Sequence, residues 1–445
     1  MDSLHVLTYD IRGHVPETGQ ERRARNTGIV THTHQILAGL ARNHPRLRLA
    51  VCHTGTEELT RYQLRTPERF TALTHGIPTR FPGLLTGSDG RKDPQAVHRY
   101  YEAGIDDPDN PVWNALARSY ATALRAAGVP MVLAQGLNPL VSALKAADQG
   151  LLRDLCPAIV GVVHDTAGMQ QRLRWVAERV HSQQDPVRLV AVSPAIRDDL
   201  LATGLPRDMV RLVPNGIDAH QFRRRLHRAV DSGAWERVCA RNRLPGQGPM
   251  VLLSARRTPW KGHDDLIRAA QLLDVARPRE RWFVAINGAG MCERTAPDFE
   301  RYLRTRIDSL GVQHRVFLLD ELEADEVAAC YAHAGIAAHP SRQAEPFGYS
   351  NIEAMLAGVP VVASAHGGPL AYIEHNRSGV LVPPFDPPTL AEQLARLLDD
   401  DRLRAQLAAS GRASARRFTT AAMTAGYEAA LADAQAAAQH LEALT

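Results

Sequence analysis

Apolar residues in this chain fall into short continuous runs, and the stretches between them repeat with a helical period. In the first half the runs are His5 to Tyr9, Leu47 to Val51, Met131 to Ala134, Ala158 to Val163, Arg188 to Val192 and Val210 to Val213. A second series comprises Met250 to Leu253, Trp282 to Ile286, Val316 to Leu318, Ile336 to Ala338, Pro360 to Ala363 and Gly379 to Val382. Between them lie segments with helical spacing, for instance Thr31 to Arg42 and Asn114 to Ala127. Continuous apolar strands alternating with helices indicate parallel sheets covered by crossover helices. The pattern therefore predicts an α/β protein with two doubly wound, Rossmann-like domains. The first spans 1–219, a polar, arginine-rich linker 220–248, and the second 249–418. An alanine-rich helix over 419–445 closes the chain. Residues 76 to 112, rich in Gly, Pro and Asp, read as an inserted loop region.

At 445 residues the chain is too long for one ordinary core and suits two α/β domains. No run approaches the roughly 20 apolar residues of a membrane span. Met1 to Leu7 carries no basic region before an apolar run, so it reads as a strand, not a signal peptide. Five widely spaced cysteines without a Cys-x-x-Cys pair argue for reduced thiols in the cytoplasm. A net charge of +4 over this length does not point to nucleic acid. Nearly every basic residue is arginine, and the only lysines are Lys92, Lys145 and Lys261. Against that background each retained ammonium group calls for a reason, because lysine and arginine differ in shape and hydration.

Two segments of the second domain carry chemistry. Glu345-Pro-Phe-Gly-Tyr-Ser-Asn-Ile-Glu353 follows a predicted strand and opens a helix that stops at Gly358 and Pro360. A helix start offers free N–H groups and a positive dipole end to phosphate. Gly348 allows close approach of the backbone, and the carboxylates of Glu345 and Glu353 can each accept hydroxyl hydrogen bonds. Ser350 and Glu353 also have the spacing of a capping box, which would give Glu353 a purely structural role. Glu345, in the loop before the turn, has no such role. The second segment is Ser254-Ala-Arg-Arg-Thr-Pro-Trp-Lys-Gly262. Arg256 and Lys261, five residues apart across a loop, can converge on a diphosphate and stabilise it as it leaves. A solvated basic loop is the alternative.

With Val192-Ser193, Pro214-Asn-Gly-Ile-Asp218, Phe222, Gly288-Ala-Gly290, Pro340-Ser341, Gly367-Gly368 and Asn376 to Pro383, these segments form an ordered set. Over residues 185 to 418 it resembles the family 4 retaining glycosyltransferases of the GT-B fold. The resemblance implies two domains facing across a cleft and a UDP- or GDP-sugar donor. Arg256 and Lys261 would hold the donor pyrophosphate, and Glu345 the sugar hydroxyls. Phe347, Gly348, Tyr349 and Ser350 would contact sugar and phosphate, and Glu353 the ribose. Phe317 and Leu318, with Val316, would border the base, and the final helix would return to the first domain.

The first domain is less legible. By the same resemblance His164, with Asp165 beside it, stands near the donor sugar and the attacking group. A strand-end histidine with a structural hydrogen bond is the plain alternative. Gly28 occupies the place of a glycine-rich phosphate loop, with one glycine where the family often has two. Asn138, at another strand end, is placed on the acceptor side. His32 and His34, two apart on a helix, diverge and do not read as a metal pair. The function expected is retaining, metal-independent transfer of a sugar to a small soluble acceptor, as in natural-product decoration, with no further cofactor and at most peripheral membrane contact. The alternatives are envelope glycan or lipid glycosylation, a phosphorylase or epimerase on the same scaffold, and a non-enzymatic sugar-binding protein.

Overall fold

The computed structural model describes residues 3–7, 28–54, 59–63, 71–77, 104–107, 110–127, 131–152, 155, 157–181, 187–288 and 296–442. The segments around Asn26, Lys92 and Gly290, and most of the inserted region 76–112, lie outside them. The described chain divides into two compact units, residues 1–216 with 420–445, and residues 217–419.

The strands of the first unit are β1 (Ser3–Leu7), β2 (Arg48–Thr54), β3 (Leu59–Gln63), β4 (Thr71–Ile77), β5 (Met131–Gln135), β6 (Ala158–Val163), β7 (Val187–Ala191) and β8 (Val210–Leu212). They form one sheet in the order β3-β4-β2-β1-β5-β6-β7-β8, parallel except for the edge strand β3. The pair β3 and β4 is absent from the apolar pattern because their sequences, LTRYQ and TALTHGI, mix polar and apolar residues. For β3, the antiparallel edge strand, such a mixture is tolerated, since one of its sides has no strand neighbour. The helices are α1 (Gly28–Asn43), α2 (Pro111–Ala127), α3 (Leu137–Asp148), α4 (Gln170–His181) and α5 (Pro194–Ala202). Ser193 caps α5 by accepting from the Ile196 amide, with Pro194 in the first turn.

The second unit begins with two helices, α6 (Ala219–Asp231) and α7 (Ala234–Asn242), where the polar sequence reads as a linker. Each exposes its charged face, but Phe222 and Val238 reach the core beside Met250 and Leu252. Such sparse apolar anchors on arginine-rich helices are easily taken for a connector. Next come β9 (Met250–Ser254), α8 (His263–Ala276), β10 (Phe283–Asn287), α9 (Ala296–Ser309), β11 (Val316–Leu318), α10 (Ala324–His333) and β12 (Ala334–His339). Then follow α11 (Tyr349–Ala357), β13 (Val361–Ser364), β14 (Val380–Val382), α12 (Pro387–Asp399) and α13 (Asp401–Ala415). The wholly parallel sheet has the order β11-β10-β9-β12-β13-β14. Successive residues of β9 feed opposite faces. Met250 and Leu252 join Phe347 and Ile352, while Val251 and Leu253 join Leu266 and Ile267. Asp400, in the acidic run 399–401, caps α13 by accepting from the Leu403 amide at 2.8 Å.

The last helix, α14 (Thr420–Glu442), is part of the first unit. Met423, Tyr427, Ala430, Leu431 and Ala434 bury one stripe of it against β6, β7 and α1. Among the described residues no helix is long and apolar enough to cross a membrane.

Gly39 on α1 sets how closely α14 approaches, since a Cβ there would collide with Thr424. Helix propensity alone favours Ala over Gly by about 1 kcal/mol. We expect Gly39→Ala to destabilise instead, by roughly 1–3 kcal/mol, as overpacking does. Thermal unfolding checks the sign, and a raised midpoint in the variant would refute the close approach.

Candidate active site

In the second sheet strand order reverses between β9 and β12, so the loops leaving their carboxyl ends are neighbours. The loop after β9 carries Arg256 and, in a short 3-10 turn (Pro259–Lys261), Lys261. The loop after β12 carries Ser341, Arg342 and Glu345. Gly262 joins the two. Its φ is +73°, and a Cβ would strike the Pro340 carbonyl oxygen. The Trp260 carbonyl then accepts from the Arg342 amide at 2.7 Å.

These contacts bring Lys261 and Glu345 together. Nζ donates to Oε2 at 2.5 Å, with the two side chains only 14% and 13% exposed. Ser341 Oγ donates to the same carboxylate oxygen at 3.2 Å, and Nζ lies 4.0 Å from the Trp260 ring centroid. Glu345, without a structural role in the sequence, thus has two partners in the fold. The adjacent arginines divide. Arg257 is buried, donates to Glu300 and to the Leu319 carbonyl, and its pKa is pushed down by burial. Arg256 makes no ion pair or side-chain hydrogen bond among the described residues and stays half-buried.

Gly348, at φ +88°, is the cap residue of α11. A Cβ there would lie 2.7 Å from the Tyr372 hydroxyl, which donates to the Phe347 carbonyl at 2.7 Å and accepts from Asn351 Nδ2 at 2.9 Å. Phe347 is buried against Phe418, with ring centroids 5.5 Å apart. The chain from 345 is pinned from behind as well, the Glu345 carbonyl accepting from the Gly368 amide at 2.6 Å. No side chain caps α11, and the Asn351 and Ile352 amides both donate to the Gly348 carbonyl, at 3.1 and 3.4 Å.

The capping-box alternative for Ser350 and Glu353 therefore fails: the helix starts two residues earlier than that box requires. Glu353 sits in the second turn and accepts from the Tyr331 hydroxyl at 3.1 Å. Burial pushes its carboxyl up to about 7, with the Tyr331 hydrogen bond and the charge of Arg225 opposing. Part of its surface remains accessible. Nearby burial raises the Tyr349 and Tyr331 hydroxyls, and the Glu353 charge adds to both. Phe317 and Leu318, on β11, are half-buried, Phe317 edge-on to Phe283 at 6.0 Å.

In the first unit His164 follows β6, and its Nε2 meets Gln135 Oε1, at the end of β5, at 2.8 Å. Burial pushes its pKa down to about 3, so the ring is neutral at ordinary pH. Asn138 receives a hydrogen bond from Arg172 at 2.5 Å, and Asp165 accepts from the Ala167 amide at 3.0 Å. Gly28 is the first residue of α1. The second retained lysine, Lys145, is buried and donates to the Ile105 carbonyl at 2.5 Å, a structural use. Among the described residues no group of His, Cys, Asp and Glu is arranged to hold a metal ion.

Two family models match the chain, "Glycosyltransferase Family 4" over residues 26–221 and "Glycosyl transferases group 1" over residues 237–414. The chain belongs to glycosyltransferase family 4. A D-inositol 3-phosphate glycosyltransferase of Xylanimonas cellulosilytica is 36% identical over 233 residues, 52% of this chain and 53% of that protein. A mannosylfructose-phosphate synthase of Agrobacterium fabrum is 29% identical over 233 residues, 52% of this chain and 49% of that protein. The chain spans about half the length of the curated relatives it matches. Among solved structures, a sucrose-phosphate synthase from Thermosynechococcus elongatus superposes with a TM-score of 0.70 at 18% identity, covering 100% of both chains. Anabaena HepE in complex with UDP and glucose gives 0.66 at 19% identity, covering 96% of this chain and 99% of that one. These likenesses establish the GT-B fold.

Three partners of the candidate residues were not legible in the sequence. Tyr331 on Glu353, Tyr372 behind Gly348 and Gln135 on His164 each come from a separate element of the same unit, so spacing could not find them.

Glu353 offers a test of the electrostatics. Its folded pKa lies above the ordinary 4.5, so the folded state holds a proton that the unfolded chain gives up between pH 4.5 and 7. Stability from this group is full below pH 4.5 and lost as pH rises through 7. We expect Glu353→Gln to be more stable than the parent at pH 8, by on the order of 1–3 kcal/mol, and nearly equal at pH 4.5. Thermal unfolding at the two values checks it, and equal gains at both would contradict the buried carboxylate.

Proposed function

We propose that this family 4 protein transfers a sugar, with retention, from a UDP- or GDP-sugar to a small soluble acceptor. The observation that carries the reading is the Lys261–Glu345 pair at the strand-order reversal. A cation suited to diphosphate and a carboxylate suited to sugar hydroxyls stand in contact there, beside an unpaired Arg256 and an uncapped helix start. Arg256, Lys261 and the first turn of α11 hold the diphosphate. Glu345 accepts from hydroxyls of the donor sugar, Phe347 to Ser350 line the sugar and phosphate, and Glu353 takes the ribose hydroxyls. Phe317 and Leu318 border the base. In the first unit His164, a neutral imidazole oriented by Gln135, hydrogen-bonds sugar or acceptor hydroxyls, with Asp165, Asn138 and Gly28 as its neighbours in the reading.

In the step proposed, the bond from the anomeric carbon to the β-phosphate oxygen breaks through an oxocarbenium-like state. The acceptor oxygen bonds to that carbon from the same face, and its proton passes to the departing phosphate. Arg256, Lys261 and the helix dipole stabilise the charge that develops. These groups supply the charge that a metal ion would otherwise bring, so the reaction is expected to proceed in EDTA. The names of the curated relatives support an acceptor of the phosphorylated polyol or sugar class over a natural-product scaffold.

Two measurements test the reading. A thermal-shift screen with UDP and GDP identifies the nucleotide, because saturation at 100 times Kd stabilises the protein by about 2.7 kcal/mol. Lys261→Ala is expected to lower turnover by on the order of 100-fold, the loss of one preorganised charge in a transition state. Turnover near the parent value in that variant would sink the assignment. Donor consumption with and without inorganic phosphate separates transfer from phosphorolysis.

A further inference from the structure

Behind His164 lies a group of buried polar side chains that the donor chemistry does not use. His32, in the second turn of α1, is fully buried, and its ring meets the His164 ring edge to face, with centroids 4.7 Å apart and an interplanar angle of 82°. His32 Nε2 is 2.8 Å from the hydroxyl of Tyr427, itself fully buried on α14. Two elements far apart in sequence thus meet at the His164 imidazole, Gln135 at its Nε2 and His32 against its ring, with Tyr427 of a third on the far side of His32. Placing two imidazoles and a phenol hydroxyl in an apolar core is costly unless each is hydrogen-bonded. An apolar helix contact would hold α14 without them.

We propose that Tyr427 and His32 are positioning residues for transfer: the Tyr427 hydroxyl fixes the His32 ring, and that ring fixes the plane of His164. A planar ring packed edge to face has one favourable setting, and a hydrogen bond at its far nitrogen removes rotation about its last bond. With Gln135 engaging Nε2, the orientation of the ring decides where Nδ1 points. His164 makes no other side-chain hydrogen bond among the described residues. Neither Tyr427 nor His32 touches substrate in this arrangement; both act through His164. The inference rests on the role given to His164 above.

The test is Tyr427→Phe, which keeps the ring packing and removes one hydroxyl, alone and with His164→Ala. Histidine-labelled protein gives the direct readout. Long-range proton–nitrogen NMR, with the His164 signals identified by their loss in His164→Ala, should show them shifted in Tyr427→Phe. Unchanged His164 signals would overturn the proposal whatever the activity. In turnover of UDP-glucose and GDP-mannose, followed by nucleotide release, Tyr427→Phe should lower kcat about tenfold and leave KM for the donor within twofold. In the His164→Ala background the same change should have no further effect. Equal losses in both backgrounds would also overturn it. Full activity of His164→Ala would instead fault the role of His164 itself, and the NMR result would still decide whether Tyr427 positions the ring.

Discussion

Strand order in the second sheet runs outward in both directions from the junction of β9 and β12. At that junction the helices that follow the two strands, α8 and α11, pack on opposite faces of the sheet, the arrangement that opens a crevice at strand carboxyl ends. The loops that follow them are forced to be neighbours, and those loops carry Arg256, Lys261 and Glu345. Gly262 and Gly348 are the conformational conditions for it: both hold positive φ where a side chain would meet backbone or the Tyr372 hydroxyl. The rest of the unit serves to keep this junction rigid, with Phe418, Tyr372 and the Gly367–Gly368 segment packed behind the Glu345 to Gly348 stretch.

Charges in this unit sort by the company they keep. Arg257 is consumed by Glu300 and a carbonyl, and Arg342 by Asp264 and Asp265, so their charge is balanced within the protein. Among the described residues Lys261 and Glu345 form an ion pair only with each other. A pair so little exposed has lost most of its hydration, and loss of either member leaves the other uncompensated. An anionic ligand that draws Lys261 toward it also leaves the Glu345 carboxylate available to hydroxyls. Arg256 adds a cation with no ion pair among the described residues, which gives the loop a local excess of positive charge there.

Electrostatics in the first unit follow the opposite rule. His164 and His32 are held neutral by burial, their pKa values lowered, and the nearby His164 ring adds to the shift of His32. Neutral imidazoles hydrogen-bond without adding charge. The C-terminal helix reaches this pair of rings through Tyr427, 395 positions away from His32 in the chain.

The chain alone determined the fold class and most of the strands, because central parallel strands must be apolar on both faces and so stand out in any sequence. It also set out two short segments of candidate chemistry, Arg256 with Lys261 and Glu345 with Gly348 and Glu353, each with spacing set by one loop or one helix start, while the 84 positions between Lys261 and Glu345 hid their contact. It did not show what satisfies Arg257, did not reveal β3, β4, α6 and α7, and left open whether Glu353 caps the helix. Tertiary structure decided these points. Which arginine is satisfied depends on Glu300, which group holds Glu353 depends on Tyr331, and what orients His164 depends on Gln135, His32 and Tyr427. Each of these partners arrives from a separate element, and sequence spacing carries information only over the few residues that a turn or helix spans.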